Sequence, residues 1–139
     1  MILTRRSDWN ARLAAHLSTV DRLPMNWTGS DCLLHLVGRG VEAMTDVDPV
    51  AQLRGRYTTA RGAVRVMRNE GHATLADAVA AHLPEIHPSR AQAGDIAAIP
   101  SDDGFGFALG LVGGSVLHVM AEEGRAVVPR SLMTRAFKV

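Results

Sequence analysis

An α+β fold, with N-terminal helices packed on a C-terminal antiparallel sheet, is the class this sequence predicts. Three observations predict it. Apolar residues recur at helical spacing before Pro88, and short apolar segments bounded by glycine turns follow Gly94. No low-complexity stretch, internal repeat or linker separates the two textures. Helices first and a meander of strands afterwards is an α+β arrangement. At 139 residues the chain has room for one domain with a real core and too little for two. A single domain over residues 1–139 is therefore expected, helical over 1–88 and a β-meander over 94–139.

The first helix starts at Ser7 and Asp8, both good N-cap types. Trp9, Leu13, His16, Leu17 and Val20 then repeat at helical spacing until Pro24 stops the segment. A second helix runs from about Asp31 to Met44, with Leu33, Leu34, Val37 and Val41 along one side. Gly38 and Gly40 weaken it or permit close packing. Asp48-Pro49 begins a short helical turn through Leu53. Thr58 or Thr59 caps a helix from Ala60 to Arg68, and Thr74 opens the last one, which Pro84 closes.

Gly94-Asp95 leads into a strand, Ile96 to Ile99. Phe105 to Val112 and Ser115 to Met120 flank Gly113-Gly114, a strong two-residue hairpin signal. Arg125 to Val128 follows the Glu122-Glu123-Gly124 turn, and Arg135 to Val139 is expected to add an edge strand.

Composition narrows the function. A formal net charge of +1 argues against a dedicated nucleic-acid binder. No run approaches the roughly 18 to 20 apolar residues of a membrane span. Charges at Arg5, Arg6 and Asp8 fall where a signal peptide needs its apolar stretch, so synthesis and folding in the cytoplasm are expected. One cysteine excludes an intramolecular disulfide. No Cys-x-x-Cys, His-x-x-x-His or clustered carboxylate set is present, so neither a metal nor a cofactor is expected.

That cysteine, Cys32, has two readings. Behind Ser30 or Asp31 as a cap it falls in the first turn of a helix, where free backbone N–H groups stabilise a thiolate and can hold an oxyanion. It is equally a small buried hydrophobe, and Asp31 next to it opposes a low thiol pKa. A nucleophilic cysteine needs a base within hydrogen-bond reach. His16 and His82 lie on or near apolar helix faces, His35 is one turn further along the helix of Cys32, and His72 and His87 lie in loops. His118 sits mid-strand, on the face opposite Leu117 and Val119 and together with Val116 and Met120. That face is either turned to the Cys32 helix or exposed.

Trp27, Gly29, Asp31 and Cys32, then Gly94-Asp95-Ile96, then Ala108-Leu109-Gly110-Leu111-Val112-Gly113, occur in one order. This order resembles the NlpC-type cell-wall peptidases, papain-like enzymes that cut peptide crosslinks in bacterial peptidoglycan. The chain is similar over nearly its whole length to small proteins from tail-gene clusters of phages, prophages and gene-transfer particles. The Arg6-Ser7-Asp8-Trp9 start, the Trp27 to Asp31-Cys32 step, the segment Asp48 to Tyr57 and the Ala108-Leu109-Gly110 strand carry that likeness.

The resemblance implies a papain-like fold with Cys32 at the nucleophile position and Trp27 and Asp31 as binding residues. In the peptidases the strand begins His-Val-Gly and its histidine is the general base; here Ala108 takes that place, and Met25 stands where a tyrosine is usual. His118 falls close to the next polar position of the family and is a tentative replacement base. The likeness thus implies a structural virion protein of the tail tip or baseplate, beside hub and distal tail proteins, with a degenerate peptidase fold. The alternative is an active cysteine endopeptidase cutting peptidoglycan during phage entry, with peptidoglycan as a further ligand.

Overall fold

The computed structural model describes residues 1–139. Four α-helices and one π-helix come first: α1 (Trp9–Val20), the π-helix (Cys32–Arg39) running directly into α2 (Gly40–Thr45), α3 (Ala60–Asn69) and α4 (Leu75–Ala80). Thr59 and Thr74 cap α3 and α4 as expected, their hydroxyls accepting from Gly62 N–H and Asp77 N–H. Asp8 precedes α1 but makes no side-chain cap bond.

The strands are β1 (Glu85–Ile86), β2 (Ile96–Pro100), β3 (Phe107–Val112), β4 (Val116–Ala121), β5 (Gly124–Pro129) and β6 (Arg135–Phe137). They form one six-stranded antiparallel sheet in the order β1-β6-β2-β3-β4-β5. The α+β architecture with helices first and an antiparallel sheet after them is thus as the sequence predicts.

Two local expectations are corrected. The last strand is not at an edge: β6 lies between β1 and β2, because the two-residue strand Glu85–Ile86 pairs outside it. No period-two pattern exists in so short a strand, so it leaves no trace in the sequence. The helix expected as one piece from Asp31 to Met44 is wound in two ways. Its first half is a π-helix in which the Asp31 carbonyl accepts from both His35 N–H (3.0 Å) and Leu36 N–H (3.3 Å). The Arg54 guanidinium donates to the Leu34 carbonyl at 2.9 Å. Gly38 makes the arrangement possible, since a Cβ there would meet Val50 Cγ2 at 2.5 Å and the Leu33 carbonyl at 2.9 Å.

The main core lies between the helices and one face of the sheet, around Leu36, Val41, Met44, Ile96, Leu109, Leu111 and Phe137. A smaller cluster (Ala91, Ala97, Val112, Leu117, Met133, Ala136) covers the other face. Arg130 closes that second layer by donating to the carbonyls of Gly114, Pro88 and Ala91 at 2.9, 2.8 and 2.7 Å. Asp95, buried, ties the ends together: it accepts from Arg5 at 2.8 Å and from Val139 N–H at 3.0 Å. The π-helix packs on β3.

Candidate functional site

Asp31 organises the start of the π-helix. Its backbone is extended, and its Oδ1 accepts from Leu33 N–H (2.9 Å) and Leu34 N–H (2.8 Å). Those N–H groups are among the ones a helix start leaves unpaired. Its Oδ2 accepts from the Tyr57 hydroxyl at 2.9 Å. Only 1% of Asp31 is exposed, so the cap and the tyrosine hold a carboxylate out of solvent with no cation in contact. Burial and the Asp31 charge push the Tyr57 phenol far above its ordinary range, so it stays a donor.

Cys32 follows, partly buried at the wall of a cavity of about 440 Å³. Burial pushes the thiol up to about 11; the Leu109 N–H and its own N–H pull it down, and the charges of Asp31 and Asp103 push it further up. The helix-start environment that favours a thiolate therefore loses to desolvation here. No imidazole is among the groups that act on the sulfur.

The cavity has 29 lining residues, 22 of them hydrophobic, contributed by the π-helix, α3, α4 and β2 to β4 and by the loops that hold Trp27, Tyr57 and Phe105. Cys32, Asp31, Trp27 and Ala108 all line it. The Trp27 ring stacks on Phe105 with centroids 5.3 Å apart and planes 12° from parallel. Asp31, Glu70 and Asp103 are the acidic residues in the wall, and neither arginine nor lysine is present.

His118 stands elsewhere. It is on the helical face of the sheet, opposite Leu111 in the β3–β4 register, and its ring lies against Gly113. Its Nδ1 accepts from Arg125 at 3.0 Å, and Arg125 in turn donates to Asp21 at 2.6 Å, just beyond α1. Burial and the Arg125 charge lower its pKa. It does not line the Cys32 cavity; the histidines that do are His72 and His82. His16 is a packing residue whose Nε2 donates to the Leu36 carbonyl at 2.9 Å.

Tyr57 is the site residue that sequence reasoning left without a role. It is the chain's only tyrosine, set in a polar turn with Arg54 and Arg56. A lone tyrosine among arginines was the available signal. No spacing links it to Asp31, 26 residues away.

Residues 4–139 match the family described as a domain of unknown function, DUF6950, and the chain belongs to that family. No curated protein and no solved structure matches it.

Proposed function

We propose that this chain is a structural component of a phage tail tip or baseplate, built on a papain-like, NlpC-type scaffold whose catalysis has lapsed. It is made in the host cytoplasm and travels in the virion, docked beside the hub and distal tail proteins. Support comes from the order of motifs in the sequence and from a cysteine-bearing helix start laid against an antiparallel sheet, as in such a scaffold.

The observation that carries the silent-enzyme reading is at Cys32: burial pushes its thiol up to about 11, and no imidazole is among the groups that act on it. Ala108 lines the same cavity, but it pairs with Ile99 on the sheet face turned away from the helices, while Leu109 and Leu111 face them. Ala108, which the resemblance sets at the peptidases' general-base position, has no group to accept a proton. Loss of the base from a Cys–His pair costs several orders of magnitude in rate. His118 spends its Nδ1 lone pair on Arg125.

Deleting the gene from a phage that encodes it tests the structural role: tails are expected to assemble or infect poorly, and normal particles overturn it. The second reading, a peptidoglycan endopeptidase, is favoured by the size of the cavity beside Cys32 and by His72 and His82 in its wall. A zymogram of wild type, Cys32→Ala and His118→Ala separates the two. The proposal expects no clearing in any lane, and clearing by wild type that Cys32→Ala abolishes establishes the enzyme instead. A pull-down on purified peptidoglycan distinguishes wall binding from scaffolding alone.

A further inference from the structure

A second recess lies on the other side of Tyr57 from the Cys32 cavity, and its chemistry is the reverse. Its volume is about 340 Å³, and its wall contains Arg39, Arg54, His35, Thr28 and Thr58 but no acidic residue. Tyr57 alone lines both. The two arginines are held in place without being used up. Arg54 donates from Nε and Nη2 to Asp48 and from Nη2 to the Leu34 carbonyl, leaving Nη1 free. Arg39 uses only Nη1, toward Glu42 at 3.0 Å and Asp48 at 3.7 Å, leaving Nε and Nη2 free. Asp48 thus acts as a brace behind the recess and does not enter it.

His35 adds an orphaned group. Its Nε2 is buried and has no hydrogen-bond partner, the one such side-chain atom in the chain. Native structures rarely leave a buried polar atom unpaired, and an unpaired donor costs the full desolvation of its N–H. The ring is uncharged, because burial and the charges of Arg39 and Arg54 disfavour its protonation. A neutral imidazole thus shares the wall with two partly free guanidinium groups.

We propose that this recess binds the oxyanion end of a ligand, a carboxylate or a phosphate, through the free nitrogens of Arg39 and Arg54 and the His35 ring. Guanidinium forks suit both ions, because two parallel N–H groups match two oxygens of either. The proposal goes beyond the tail-protein reading and does not depend on it, since it requires neither a thiolate nor a virion.

The test is a ¹⁵N–¹H NMR titration of the full chain at constant ionic strength, once with inorganic phosphate and once with acetate. Saturable shifts are expected at the Gly29, Gly55 and Thr58 amides and on the His35 ring. Arg39 is 42% exposed, and Asp48 keeps its closer partner Arg54 at 2.7 Å, so Arg39→Gln keeps the fold and is expected to weaken binding roughly tenfold. Arg22→Gln, exposed and remote, leaves it unchanged. The ion that saturates first identifies the class, phosphate ester or carboxylate. Absence of saturation with both ions, or shifts scattered over the surface, overturns the proposal on wild type alone. Undiminished binding in Arg39→Gln overturns it as well.

Discussion

The Tyr57 hydroxyl donates to Asp31 Oδ2 at 2.9 Å, and through that one bond the loop after the short Ala51–Leu53 helical turn is fastened to the start of the π-helix. Tyr57 is also the wall shared by an acidic, largely apolar cavity and a basic, polar recess. Its consequences are measurable.

Removing the hydroxyl leaves a buried carboxylate oxygen without a partner. Tyr57→Phe is expected to lower stability by about 1–3 kcal/mol in urea unfolding. Asp31→Asn retains an oxygen for the Leu33 and Leu34 N–H groups and is expected to cost less than Asp31→Ala. Equal loss in the two Asp31 variants means that the cap contributes nothing.

With the thiol at about 11, the thiolate fraction of Cys32 at pH 8 is about one thousandth. Iodoacetamide labelling should therefore keep accelerating through pH 10. A rate that levels off near pH 7 identifies an activated nucleophile and contradicts the burial argument.

His16, His35 and His118 are all shifted down, burial being the first cause in each. A folded-state pKa below the ordinary 6.5 means that the unfolded chain binds the proton more readily. The stability these groups contribute is complete above about pH 6.5 and is lost as pH falls below it toward the folded-state values. The urea midpoint should accordingly decline below about pH 6.5. His16→Gln, which keeps a donor for the Leu36 carbonyl without titrating, should flatten part of that decline. A midpoint level down to about pH 5 refutes the assignment.

Gly38→Ala forces a Cβ against Val50 and the Leu33 carbonyl, neither of which is a flexible side-chain end. A loss of about 1–3 kcal/mol is expected, as for overpacking elsewhere. It should be accompanied by changed amide shifts along Cys32–Arg39. Wild-type stability in this variant would show that the π-helix relaxes freely.

How much of this was legible depends on the range of each interaction. Thr59 and Thr74 were readable as caps because a cap acts within three residues, and Gly113-Gly114 was readable as a hairpin because its turn chemistry is local. The α+β class and the position of Cys32 at a helix start came from the same short-range rules. The π-winding escaped them, since eight residues are too few for its wider turn to show in the apolar spacing. Here the winding is tied to Val50 and Arg54, which press on Gly38 from outside the helix.

Sequence alone determined the class of fold and most of the helix and strand segments. The tertiary structure decided what those segments enclose. It turned His118 toward Arg125, joined Tyr57 to Asp31 and put two pockets of opposite charge on either side of Tyr57. Periodicity assigns a residue to a face, but which groups meet across that face depends on how distant elements pack, and desolvation then sets their protonation.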